Sequence, residues 1–389
     1  MLFYLILLFI LTLLGYLLCN KTEFKYRNGL FVAIAFGVLC FLSCIRYDVG
    51  MDYMQGGYTQ MWYNVQNTPI SDFMSLDDEF GYTLFMYMFK FLGKNYQMVY
   101  VITSVLIAVL SGLFIYKYAK DKVWAFFLYY GLGMFYCSTN LLRQTISCLI
   151  FVFAIECAKK KKLIPYLLIT LLAASFHKSA LVMLPVYFLL QINLTNVVLA
   201  VYSVLSVGVF FASPYIVKFV SKFWYGSYLN SYHIQDGNSY FYLIVPLIFF
   251  IILYTFKDKI CRADKTNMVY INCAFFNLFF YFISCHHRLV DRFTMFFEPA
   301  VILGICVLMK AFNDEKKEKD ITRQQKSKTA KTQLITGAIV VAAAMTINMV
   351  YLIEDGHAII PYRTIFNDDY RAYCQSLEGY DNIIEEPEF

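Results

Sequence analysis

Charge is scarce in this chain. Asp, Glu, Lys and Arg supply 15% of its 389 residues while 60% are hydrophobic. Soluble domains run nearer one-quarter charged, so a water-soluble domain is excluded and none stands out along the sequence. Soluble-enzyme motifs are missing too: no Gly-rich phosphate loop, no His-Glu-x-x-His and no Gly-x-Ser-x-Gly. Any chemistry must therefore come from charged residues at the ends of apolar runs. The eleven cysteines form no Cys-x-x-Cys pair, and their number is odd. They read as small buried hydrophobes rather than a metal or disulfide framework. No internal repeat is visible, against the pattern of inverted-repeat transporters. The apolar stretch 1–19 has no basic region before it and no small-x-small site after it. It reads as a retained first span, not a cleaved signal.

What is abundant is apolar and aromatic. The composition predicts an all-α, polytopic helical membrane protein. Aromatic residues reach 19%; Tyr and Trp favour membrane interfaces, and lipid-facing packing accounts for most of the rest. Candidate spans are 1–19, 29–45, 96–117, 123–138, 140–158, 163–176, 178–191, 195–212, 241–256, 267–285, 293–311 and 333–353, about twelve in all. Stretches rich in Lys and Arg follow at 21–27, 117–122, 159–162, 257–265 and 310–332, whereas 46–80 and 354–389 are acid-rich. The positive-inside bias puts the basic set in the cytoplasm and the acidic set outside. The formal charge of +6 thus reads as orientation signals, not as a nucleic-acid footprint.

Two segments test that count. The run 81–93 has Phe85, Phe89 and Leu92 at turn spacing. If it crossed, Lys159 to Lys162 would end outside, so it is read as an interfacial or re-entrant helix. The run 163–191 is read as two half-length helices meeting at the outer face near His177. The chain is thus one integral membrane domain over 1–389. Its outer loop with an interfacial helix occupies 46–95, a cytoplasmic linker 313–332 and an acidic extracytoplasmic tail 354–389. In the outer loop Tyr53, Tyr58, Trp62 and Tyr63 suit sugar rings or anchor the interface. A second outer loop, 213–240, carries Tyr215, Phe219, Phe223, Trp224, Tyr225, Tyr228 and Tyr232.

The topology gathers four polar clusters on the outer side. Arg46, Asp48 and Asp52 follow the second span. Arg143-Gln144 opens the span 140–158, where a guanidinium beside free backbone N–H groups suits phosphate oxygens; snorkelling is the plainer alternative. His177-Lys178 lies between two apolar runs, and such a His is as often a satisfied core residue. In His286 to Arg292, adjacent histidines diverge too far to share a metal. Arg288 and Arg292 share a face if helical, which favours an anion site. Asp77, Asp78 and Glu79 read first as a solvated acidic loop.

Taken in order, several stretches resemble the EpsG family of multi-span exopolysaccharide proteins, related in role to Wzy-type polymerases. They are Arg46-Tyr-Asp-Val-Gly-Met-Asp52-Tyr53, Glu79-Phe-Gly-Tyr82, Leu142-Arg143-Gln144, Ser175-Phe-His177-Lys-Ser179-Ala and Arg288 to Phe293. They spread over about two-thirds of the chain. Ser147-Cys148 and Phe293 depart from the family's usual residues, but neither departure removes a charge.

The resemblance implies a GT-C-like or Wzy-like bundle in the plasma membrane. It would join polyprenyl-diphosphate-linked repeat units on the outer face, with no cofactor and no metal. A divalent ion on Asp48 and Asp52 is the alternative to arginine alone. Its partners would be the lipid-linked glycan, membrane lipid and other polysaccharide-export proteins, with no nucleic acid. Arg143 and Arg292 are expected to stabilise the leaving diphosphate, and Asp52 and His177 to handle the hydroxyl proton. Arg46, Asp48, Tyr53, Glu79, Gln144, Lys178 and Arg288 are expected to bind substrate. A lipid-oligosaccharide flippase and a membrane O-acyltransferase with His177 as base are the competing readings.

Overall fold

The computed structural model describes residues 1–53, 57–76, 79–221, 237–318 and 322–367. Asp77, Asp78, the aromatic run from Phe223 to Tyr232 and the acidic tail beyond 367 lie outside the described residues. Among those described the architecture is helical, with no strand.

The helices are α1 (Leu2–Tyr16), α2 (Arg27–Ile45), α3 (Tyr58–Asn67), α4 (Phe80–Phe89), α5 (Gln97–Tyr118) and α6 (Lys122–Gly131). Next come α7 (Met134–Asn140), α8 (Leu142–Lys159), α9 (Leu163–Phe176), α10 (Val186–Leu190), α11 (Asn196–Ser221) and α12 (Ile244–Thr255). The last four are α13 (Lys257–Ala263), α14 (Met268–Ser284), α15 (Glu298–Lys317) and α16 (Arg323–Glu354). Local sequence sets several ends. The Asp121 carboxylate accepts from Val123 and Trp124 N–H and starts α6, and Thr322 with Gln325 forms a capping box on α16. Helices α8, α14 and α15 are buried along most of their length and form the centre. Helix α11 stands at the periphery, with apolar side chains exposed towards lipid.

Among the described residues six helices are long and apolar enough to cross a membrane, or up to eight if two bent pairs each count as one span. The expected twelve spans are therefore not found among the described residues. The apolar run 178–191 is no helix of span length: it is a 3-10 segment, Lys178–Met183, followed by the short α10. The run 123–138 is broken between α6 and α7, where Gly133 adopts a positive φ of 84°. Hydropathy misses such breaks because irregular backbone buried in protein can be as apolar as helix. The run 81–93 forms α4 plus a 3-10 turn, Lys90–Leu92, too short to cross a membrane.

The polar clusters separate to two ends. Lys159 pairs with Asp264 at 3.6 Å, and Lys259 pairs with Glu315. These contacts bring the basic segments 159–162, 257–265 and 310–317 together. The acid-bearing loops and the residues near Arg143, His177 and Arg292 gather around α7 and the start of α8 instead. A single-cysteine probe at exposed Lys160 is expected to be shielded from membrane-impermeant reagent, and one at exposed Tyr63 to be labelled in intact cells. Labelling of Lys160 from outside would invert the orientation.

Past α16 the described residues 355–367 turn back against the bundle. Asp355 ends the helix in the left-handed conformation at φ 44°. Tyr47 N–H donates to Arg363 O at 3.0 Å, Gly50 N–H to Ala358 O at 2.9 Å and Ile365 N–H to Ile45 O at 2.9 Å. Tyr4 Oη adds a bond to Ile359 O at 2.8 Å. Residues 355–367 are thus clasped against the segment that follows α2.

Candidate functional site

Two glycines allow the close approaches that build the site. A Cβ on Gly81 would overlap Ser175 Oγ. Glycine there lets the start of α4 press on the end of α9, which carries Glu79 to His177. Gly50 has φ 106°, and a Cβ on it would lie 2.7 Å from Thr139 O. The loop thereby reaches α7, and Asp52 N–H donates to Asn140 Oδ1 at 3.0 Å.

Glu79 is buried and divides its two oxygens. Oε1 lies 2.9 Å from His177 Nδ1, and Oε2 pairs with Arg143 Nη1. Burial pushes the Glu79 carboxyl up, but the His177 hydrogen bond and the Arg143 charge outweigh it and hold the group below its ordinary value. The carboxylate therefore favours the folded state above the unfolded pKa, and that contribution is lost as pH falls through the folded one. Glu79 is thus the hub of the cluster and not a solvated loop acid. The Arg143 guanidinium also lies 5.9 Å from the Tyr58 ring centroid.

Gln144, next on α8, donates to Arg292 O at 2.6 Å. That bond anchors the 3-10 segment Arg288–Phe296. Arg288 and Arg292 both face a cavity of about 180 Å³, shared with Asp291, Glu298, Glu354 and His357. Each carboxylate there has a neutral donor. Asn238 Nδ2 reaches Asp291 at 3.1 Å, Tyr281 Oη reaches Glu298 at 3.1 Å, and Tyr242 Oη bonds Glu354. The cavity thus offers cations for anionic oxygens and carboxylates for hydroxyl groups. Asp52 is half-buried close by. Burial raises its pKa above the ordinary aspartate value, and the opposing charges of Arg292 and Arg143 only partly offset this.

Other expected site residues lie apart from the cavity. Arg46 is 1% exposed, and its three guanidinium nitrogens have no hydrogen-bond partner among the described residues. It sits 5.0 Å from the centroid of the Tyr100 ring, and burial pulls its pKa down. Tyr53 is buried, stacked 4.2 Å from Tyr100, with its hydroxyl near the Arg46 and Gln97 oxygens. Tyr58 and Trp62 are buried as well. These three are packing residues with no face open for a sugar ring, and of the four aromatic residues expected there only Tyr63 is exposed. Asp48 lies 3.8 Å from Arg363, so it ties down the returning segment. Lys178 is exposed at the start of its 3-10 turn. No group of three His, Cys, Asp or Glu able to hold a metal occurs among the described residues.

Sequence reading misses Glu298, Glu354 and His357. Glu298 has a signal, since a lone carboxylate opening an apolar run marks a functional position. His357 has none, because nothing local says that residues 355–367 fold back. Asn140, which links Asp52 to His357, is an inconspicuous amide at the head of an apolar run.

The EpsG family model aligns with residues 29–364. The chain belongs to the EpsG family. The match takes in every residue of the two clusters, from Asp52 and Glu79 to His357. Membership points to an exopolysaccharide-related, polymerase-like membrane protein. Comparison with curated proteins and with solved structures finds no match.

Proposed function

We propose that this EpsG-family protein is a glycosyltransferase of the plasma membrane. It would join polyprenyl-diphosphate-linked repeat units into an exopolysaccharide, capsule or O-antigen on the outer face. The observation that carries the reading is the meeting of Arg143, Arg292 and Arg288 with the buried Glu79 and the half-buried Asp52, Asp291 and Glu298 at one end of an apolar bundle. In this reaction an acceptor hydroxyl attacks the anomeric carbon of the donor. The C1–O bond breaks, its electron pair goes to the diphosphate, and the hydroxyl proton goes to a carboxylate.

Each residue has a part that its surroundings support. Arg292 and Arg143 face the charge that grows on the diphosphate, in a water-poor setting where fixed cations act strongly. Arg288 extends that field from the same 3-10 segment. Asp52, with its raised pKa, is the proton acceptor. His177 and Glu79 hold Arg143 in place and offer a hydrogen bond to the sugar. Gln144 fixes Arg292 through its backbone, and Lys178 contributes an exposed charge next to His177. Arg46, Asp48 and Tyr53 serve substrate binding indirectly, by shaping the loop that carries Asp52. The isoprenoid tail lies in the surrounding lipid, and polysaccharide-export proteins would take the product.

The test is to give purified protein lipid-linked repeat units. Longer glycan supports the polymerase, translocation without elongation supports a flippase, and an acylated product supports an acyltransferase. The pH profile carries a further prediction. Activity is expected to rise with pH through a carboxylate limb above the ordinary aspartate pKa. Asp52→Asn is expected to lower elongation steeply and to remove the limb from the residual activity. An unchanged limb in Asp52→Asn would move the proton to another group.

A further inference from the structure

His357 sits in the cavity although it lies beyond the last helix. Its ring stacks on Tyr351 at 5.3 Å, and Asn140 Nδ2 lies 3.0 Å from its Nδ1. The Asn140 amide has one possible orientation. Its Oδ1 accepts the Asp52 backbone N–H, so its NH₂ group must face His357. Nδ1 of His357 is therefore the acceptor, and a neutral ring carries its proton on Nε2. Burial keeps the ring neutral by pushing its pKa down to about 4, with Arg288 adding to the effect and Asp355 opposing it. Among the described residues Nε2 meets only Cys137 Sγ, at 3.8 Å, and a thiol is a weak partner. A fixed N–H donor thus faces a cavity that also holds Arg288 and Arg292.

We propose that His357 Nε2–H is a substrate-binding donor, aimed by Asn140, that takes an acceptor oxygen of the sugar-diphosphate head. The inference rests on the polymerase reading and gives it a third donor beside the two arginines. His357 moves no proton, because its lone pair is already occupied by Asn140. The returning segment 355–367 is then part of the site, and the clasp at Tyr47 and Gly50 sets the donor's position. The same backbone contact fixes Asp52 and, through Asn140, the tautomer of His357.

The experiment measures glycan elongation by purified protein, on the alkaline side of imidazole titration, with lipid-linked repeat units extracted from the source cells. His357→Gln keeps an N–H near the Nε2 position and is expected to stay within a few-fold of wild type. His357→Ala is expected to lose on the order of tenfold to a hundredfold, as for one hydrogen bond to a charged group. Asn140→Asp keeps the oxygen for Asp52 but puts an acceptor opposite Nδ1, which moves the proton off Nε2. It is expected to lose activity like His357→Ala, and Asn140→Asp with His357→Gln is expected to recover most of it. A purely structural role would give no such recovery. Equal activity in wild type and His357→Ala, or no recovery in the double variant, would overturn the proposal. Nitrogen-15 shifts of labelled histidine, assigned with His357→Gln, supply a readout free of turnover. Adding the lipid-linked units should move the Nε2 signal. If it moves and no glycan grows, the polymerase reading falls and the donor stands; if it stays still, the donor falls.

Discussion

Arg143→Lys is expected to cut polymer formation about a hundredfold with an unchanged amount of protein in the membrane. The charge survives the substitution, and a Lys can still pair with Glu79, so the fold around α4 and α9 is kept. What goes is the planar fork, which in Arg143 can hold Glu79 through one nitrogen and present others to a phosphate. Losing one strong contact to the developing charge costs on the order of 3 kcal/mol. Glu79→Gln is expected to act in the same direction, because it frees both Arg143 and His177 from their shared carboxylate. The two changes should be non-additive, with a coupling of about 0.5–3 kcal/mol, since the residues are in contact. Wild-type polymer length and yield in Arg143→Lys would reduce this arginine to a membrane-edge anchor.

Arg46→Met is expected to raise the thermal midpoint of the purified protein while polymer formation falls. Burying an ion costs several kcal/mol after relaxation. The guanidinium of Arg46 recovers little of that, because its nitrogens have no hydrogen-bond partner among the described residues. Its contact with Tyr100 is worth about 2 kcal/mol when desolvated. Replacing a buried charge with an apolar residue of similar volume is commonly neutral or stabilising by about 1–4 kcal/mol. Methionine fits that description, and its thioether suits the ring of tyrosines. A stability cost kept at the base of the loop that bears Asp52 fits a functional use, so polymer yield is the second readout. A lowered midpoint would instead make the guanidinium a structural keystone, held by rings alone.

Several features are legible in the amino-acid sequence. The scarcity of charge sets the fold class, because only helices satisfy their backbone in lipid. Arg143, His177, Arg288 and Arg292 stand out as charges against apolar neighbours, and they do gather at one end. Glu79 is less visible: beside Asp77 and Asp78 it resembles an ordinary acidic loop. Its role comes from Gly81, whose missing Cβ lets α4 meet α9. Tyr53, Tyr58 and Trp62 mislead because an aromatic ring in a polar loop has the same sequence signature whether it faces sugar or core.

The chain by itself determined the helical membrane class, the family and most of the cations that line the candidate site. Those properties follow from local composition and from spacing along one segment. Only the tertiary structure decided which apolar runs are whole helices, that Arg46 is sealed from water and that residues 355–367 fold back to bring His357 to the cavity. Each of these depends on contacts between segments far apart in sequence, such as Gly50 with Ala358 and Asn140 with His357. Hydropathy reports the cost of exposing a segment to water. It carries no information on which other segment does the covering.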